Sequence, residues 1–229
     1  MKSLIKLGVT AGLMAVLGQS ASAQLLITQY YEGTSVNKWI ELSNVGGSSL
    51  DLSTYSLALW SNSNTENYKT DGTPTASMAL SGILAAGSSL LIQNSGATLP
   101  AYALGTGISN NTVINFNGDD SVTLYTGGTF ATANIVDAIG FTDLGAEGTD
   151  KSFVRLSDGV GWNTTGGSIV TDFGSVWASA VLADVDNATV GTDVRLGYSS
   201  VTAVPEPSSI AIAMVGVAAL MAGTRRKRN

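Results

Sequence analysis

The 229 residues include neither cysteine nor histidine. Without cysteine there are no disulfide staples and no thiolate chemistry, which a domain can tolerate only if it is large enough to rely on a buried core. Without histidine, Ser-His-Asp and Cys-His nucleophiles, the usual zinc sites and imidazole acid-base catalysis are excluded. Catalysis would have to come from carboxylates, lysine, tyrosine or a calcium-like ion. Cations are scarce as well. Of eleven Lys and Arg, two fall at Lys2 and Lys6 and four at Arg225, Arg226, Lys227 and Arg228. Between them only Lys38, Lys69, Lys151, Arg155 and Arg195 face sixteen acids, so residues 24 to 203 carry a formal charge of −11, against −6 for the whole chain. So acidic a domain lacks the basic patch that phosphate neutralisation needs, and nucleic acid is excluded as a partner on that ground. A helical apolar period is also missing, since no stretch between 24 and 203 sustains one for three turns.

Both ends of the chain carry addressing features. Lys2 and Lys6 form a positive region, Leu7 to Leu17 is an apolar core too short to span a membrane, and Ala21-Ser22-Ala23 is a small-residue site for signal peptidase. Residues 1–23 are therefore expected to be a signal peptide, and the mature chain to begin at Gln24. Val204-Pro205-Glu206-Pro207 comes before an apolar run, 208–224, and the cluster Arg225-Arg226-Lys227-Arg228 follows it. The two prolines hold residues 204 to 207 extended, as a protease would need. Seventeen helical residues at roughly 1.5 Å each fall short of a roughly 30 Å hydrocarbon core. Only Ile210, Ile212, Val215, Val217 and Leu220 are strongly apolar, and the cations behind them hold that end in the cytoplasm. The expectation is a short transmembrane helix that occupies the membrane in transit; a retained single-pass anchor is the alternative.

This tail of Pro-Glu-Pro, weak helix and basic end resembles that of the PEP-CTERM proteins of Gram-negative bacteria. The resemblance implies that an exosortase removes residues 204–229 and hands the protein to the cell surface or extracellular matrix, by way of an inner-membrane intermediate.

Between the signals, abundant Gly, Ser, Thr and Asn and short alternating apolar runs predict an all-β domain. Expected strands are Leu25 to Tyr31, Lys38 to Ser43, Leu50 to Leu52, Tyr55 to Leu59, Ser88 to Gln93, Val113 to Phe116, Ser121 to Tyr125 and Ile135 to Phe141. Trp39 and Glu41 should lie on one face of their strand, with Ile40 and Leu42 on the other. Asn117-Gly118 should supply the positive φ of a tight hairpin, and Gly127-Gly128 should close the next strand. The polar stretches 61–76 and 94–111 are long loops of the kind that carry binding. Residues 24–180 are read as the folded domain and 181–203 as a terminal strand and flexible stalk.

The segments Trp39-Ile40-Glu41-Leu42-Ser43-Asn44, Asp51 to Leu57, Leu84 to Ile92 and Asn117 to Leu124 resemble, in order and spacing, the lamin tail domain, an immunoglobulin-like β-sandwich. Ser152-Phe153-Val154-Arg155 and Trp177 are similar to the closing segment seen where such domains accompany bacterial secreted nucleases. Thr54 departs from the pattern, which favours Gly there. The resemblance implies a binding or accessory module without fixing an activity.

Few residues are candidates for chemistry. Asp184 and Asp186 would sit roughly 6.6 Å apart on one face of an extended strand, a possible seed for calcium. The EF-hand template fails, because its sixth position is Thr189 and no Glu closes the loop. Asp119-Asp120 fits turn stabilisation. No two acids pair in the linear order as a glycosidase requires. Trp60 and Tyr68, flanking the loop at 61–67, form the candidate sugar-stacking pair, with exopolysaccharide as the ligand. The sequence is thus read as an exported structural or adhesive β-sandwich of the cell surface or biofilm matrix and not an enzyme. A carbohydrate- or calcium-binding module is the alternative, and a secreted hydrolase ranks below it.

Overall fold

In a computed structural model the described residues are 25–99, 107–140, 148–155 and 177–186, all within one compact unit, Ala23–Val204. The expected signal peptide and its cleavage residues Ala21, Ala23 and Gln24 lie outside them, as do the stalk from 187 onward and the whole of 204–229.

The first two expected strands form as the alternation requires. β1 (Leu25–Glu32) and β2 (Lys38–Asn44) are antiparallel, with Tyr30 opposite Ile40 and Tyr31 opposite Trp39. β3 (Leu50–Asp51), β4 (Tyr55–Trp60), β5 (Ala76–Ala79), β6 (Ile83–Leu84), β7 (Ser89–Gln93) and β8 (Ile108–Ser109) follow. Then come β9 (Ser121–Thr126), β10 (Ile135–Gly140), β11 (Lys151–Arg155), β12 (Trp177–Val181) and a single helical turn, α1 (Leu182–Asp186). The larger sheet runs β12-β11-β1-β2-β7-β8, the smaller β10-β9-β4-β5, and β3 and β6 pair separately. Among the described residues the fold is all-β apart from α1 and short 3-10 turns.

The two sheets enclose the main core. Leu25, Ile27, Tyr30, Ile40, Leu42 and Ile92 from the larger meet Leu57, Leu59, Val122, Leu124 and Ile139 from the smaller. Burying each such side chain contributes about 1.5–3 kcal/mol, so this layer dominates folding. Ile40 and Leu42 point inward and Trp39 outward, as alternation demands, but both faces of β2 are buried. Each sheet has a second, smaller core on its outer face. Tyr31 and Trp39 stack with centroids 3.6 Å apart beneath Val185 of α1, while Trp60, Tyr68, Tyr125 and Ile135 form the other cluster, with Phe130 against it.

Two bulges set the parity of these faces. The register of β1 slips between Ile27 and Gln29, and that of β10 between Ile135 and Asp137. Ile135 and Ala138 both belong to the outer cluster although three residues apart, which a period of two forbids unless one residue is extra. The same extra residue turns Asp137 inward, toward β1.

Three expectations need correction. Residues 113–116 are not a strand, so Asn117-Gly118 does not close a hairpin. Gly118 is absent from the glycines of positive φ, which among the described residues are Gly82, Gly87 and Gly127. It is required for proximity instead, because a Cβ there would fall 2.0 Å from the Thr149 main-chain nitrogen. Gly127, at φ +89°, does take the glycine-favoured conformation where β9 ends. Residues 182–186 are helical rather than extended. At Thr54 the turn 52–54 is a 3-10 turn in which the Asp51 side chain accepts from Ser53 N–H, and no positive φ is needed there.

Candidate functional site

The loop 61–75 carries the aromatic pair singled out above. Two 3-10 turns, Asn62–Asn64 and Asn67–Thr70, fold it over the outer face of the smaller sheet. Asp71, in the left-handed conformation at φ 55°, ends the second turn. It also bonds the segment before β10 reciprocally. Thr132 N–H donates to Asp71 Oδ1 at 2.5 Å, Asp71 N–H donates to Thr132 Oγ1 at 3.0 Å, and Thr132 Oγ1 donates to Tyr68 O at 2.8 Å. The Thr132 N–H holds the exposed Asp71 carboxyl below the usual carboxylate range.

The loop brings Trp60 and Tyr68 together, with ring centroids 6.0 Å apart and an interplanar angle of 58°. It also buries them. Trp60 is 0% and Tyr68 2% exposed. Phe130 packs edge-on to Trp60 at 4.6 Å, and Trp60 Nε1 donates to Thr123 Oγ1 at 2.9 Å. A sugar stacks on an uncovered ring face, and in this arrangement neither ring offers one. The pair is the centre of the outer mini-core, a correction whose reason is that aromatics supply the largest buried areas.

The carboxylates follow a pattern the sequence did not disclose. Asp120 accepts Asn117 N–H at 2.7 Å and Asn62 N–H at 3.2 Å, tying the turn before β9 to the loop 61–75. Burial pushes its carboxyl up, and the two N–H donors pull it back. Glu32 accepts Asp150 N–H at 2.6 Å and pairs with buried Lys38. Asp137 accepts Ile27 N–H at 2.8 Å and pairs with Arg155, whose Nε donates to Ile27 O at 2.7 Å. Burial raises the Asp137 carboxyl, while Arg155 and the Ile27 N–H oppose the rise. Each of these three carboxylates therefore receives a main-chain N–H from a distant segment. That is the work of a staple, and an acid fixed this way is not free to shuttle protons. No linear signal could have found these contacts, whose partners lie 58 to 118 residues apart.

The Tyr30 hydroxyl donates to Asn117 O at 3.3 Å, beside the turn that Asp120 ties. Burial first, and then Glu32, Asp120 and Asp119, push it well above the ordinary tyrosine range, so it stays neutral. Asp184 and Asp186 lie on α1. The extended backbone that motivated a calcium site is therefore not the one found there. Among the described residues no three carboxylates gather as metal ligands. The sorting residues Val204, Pro205, Glu206 and Pro207 and the basic residues Arg225, Arg226, Lys227 and Arg228 lie outside the described residues.

Residues 18–143, more than half of the chain, match the family model of the lamin tail domain. The chain belongs to this family. The match takes in β1 to β10 of the lamin tail domain described above. Residues 203–227 match the PEP-CTERM protein-sorting motif, so the lamin tail domain stands ahead of a signal that exosortases process. Such signals direct export to the surface or exterior of Gram-negative cells. One family is structural and the other a sorting signal; neither is an enzyme family. Among solved structures, a DUF4876 family protein from Bacteroides thetaiotaomicron VPI-5482 is similar, at 10% identity with 70% of this chain and 69% of that chain covered and a TM-score of 0.40. No curated protein matches the chain.

Proposed function

We propose that this is an exosortase-sorted protein whose immunoglobulin-like lamin tail domain is a non-catalytic structural or adhesive module of the cell surface or extracellular matrix. The sorting motif at 203–227 carries the reading. A stretch 208–224 too weak to be a good anchor, with cations behind it, suits a membrane intermediate that is cleaved. Three points support the absence of catalysis. There is no histidine or cysteine, Glu32, Asp120 and Asp137 are bonded as staples, and the two matched families are not enzymatic.

The test is the intact mass of the protein recovered from the exterior of cells with and without their exosortase. The expected product begins at Gln24 and lacks Arg225 to Arg228, and removing the exosortase leaves the longer species in the membrane. A mature species that keeps Arg225 to Arg228 in both strains means a retained anchor, and a soluble cytosolic product overturns the reading altogether.

A further inference from the structure

Between Asp71 and Asp119 the chain has no charged residue, a run of 47 positions in a protein whose net charge is −6. That run forms β5, β6, β7 and β8, and so supplies an end strand to each main sheet. β8 has two residues and is paired in parallel with β7. β5 is different. Among the described residues it pairs with β4 alone, in continuous register from Ala76 opposite Leu59 to Ala79 opposite Ser56. Leu80 N–H donates to Tyr55 O at 2.9 Å. By the alternation of antiparallel ladders, Met78 and Ala76 also turn their main chain toward β4, and Ser77 and Ala79 turn theirs away. Both are exposed, as are Thr73, Thr75 and Ser81, and Ile83 is 69% exposed. Open edges are normally blunted by lysine, proline or a bulge. None occurs between Ser77 and Ala79; Pro74 lies ahead of β5, and Thr75 N–H donates to Leu59 O at 2.9 Å, so the outward-turned main chain starts at Ser77.

We propose that β5 is a self-association edge, to which a second copy of this chain adds its own β5 in antiparallel pairing. Charge selects the occupant. Two copies carry like charge and repel wherever their acids meet, so they approach best along a strand that has none. A cationic partner would be drawn to the acids elsewhere and gain nothing here. A two-fold axis at Met78 sets Ser77 of one copy opposite Ala79 of the other and makes about four N–H···O=C bonds. The small outward side chains let the main chains close. Such an isologous contact is satisfied at two copies and does not propagate. The inference goes beyond the proposed sorting role and does not rest on it.

Because the chain has no cysteine, Met78→Cys introduces a single thiol on the predicted axis, where opposed Cα atoms lie about 4.5 Å apart, within disulfide reach. The whole chain is used, recovered from the cell exterior or, if it stays with the membrane, extracted in mild detergent. Mild oxidation should give a disulfide-linked dimer on non-reducing electrophoresis, about tenfold more than from Ser179→Cys, an exposed position on β12. Adding Ala79→Lys, or separately Ser77→Pro, should cut that yield about tenfold without moving the thermal melt. Sedimentation of the unaltered chain should show a concentration-dependent dimer. Equal cross-linking at 78 and 179, a dimer that ignores both β5 variants, or a monomer at every concentration would overturn the proposal.

Discussion

Among the described residues β1 pairs with β11 only from Gln29 onward, and Ile27 is bonded by side chains instead. Its N–H is taken by Asp137 and its C=O by Arg155, two side chains that also pair with each other. Among the described residues the main chain at Ser77 and Ala79 of β5 likewise has no neighbour on one side, and no residue of the strand is charged. The first vacancy is buried, where an orphaned N–H or C=O costs about 1–3 kcal/mol. The second faces water, which satisfies it until a better partner arrives. Solvent access thus decides whether a gap in a ladder must be filled from within the chain or can stay available to another molecule.

The largest effect should come from breaking the filled gap. Arg155→Met leaves Asp137 buried without its cation and Ile27 O without a donor, for a loss of about 3–5 kcal/mol in chemical denaturation. Adding Asp137→Leu separates two explanations of that loss. If the pair mattered only for its Coulomb energy, the double variant should return near to the starting stability. If it serves the Ile27 main chain, two orphans remain, and the double variant should stay about 1–3 kcal/mol down for each.

Gly118→Ala probes another long-range contact, at the opposite end of β11, where Thr149 precedes Lys151. The added Cβ meets the main chain of Thr149, which cannot rotate away as a side chain could, and overpacking of this kind costs about 1–3 kcal/mol. A glycine required only for positive φ would accept Asn with little loss, so Gly118→Asn should be at least as damaging as Gly118→Ala if proximity is the cause.

Much of the architecture could be read from alternation. Leu25 to Tyr31, Lys38 to Ser43 and Tyr55 to Leu59 are strands because a period of two is a local property, visible wherever the residues themselves show it. What resisted reading was long-range. Whether Trp60 faces solvent depends on Phe130 and on Asp71 meeting Thr132, contacts made by residues far along the chain. The bulges in β1 and β10 reverse face parity without a local signature, and with the second of them Asp137 turns inward to Ile27. Asp184 and Asp186 were misplaced because five residues are too few to display a helical period.

A smaller effect is expected from acid. Asp71 is exposed and its carboxyl is depressed by the Thr132 donors. A depressed carboxyl stabilises the fold fully above the unfolded value, about 3.9, and loses that contribution as pH falls through the lower folded value. The loop 61–75 should therefore loosen below about pH 4, seen as lost protection of the Thr132 amide. Asp71→Asn should remove the pH dependence of that amide, and an unchanged titration would mean that the reciprocal bond does not hold the loop. The ion pair around Ile27 should behave in the opposite sense: the Asp137 carboxyl is raised by burial, so its protonation on acidification does not by itself favour unfolding.

The smallest change in stability should come from charging the open edge. Ala79 is exposed and its side chain stands on the outer face of β5, so Ala79→Lys should leave the unfolding free energy within about 0.5 kcal/mol of the parent. The same substitution should lower self-association, because two lysines would be brought toward each other across the two-fold. The ratio of these effects is what distinguishes the two gaps. At Ile27 a substitution is felt in folding because the vacancy is already filled from within, whereas at β5 it should be felt only when a second copy arrives. A large loss of stability from Ala79→Lys would mean that β5 is already covered within its own chain, and the contrast between the buried and open ladders would then disappear.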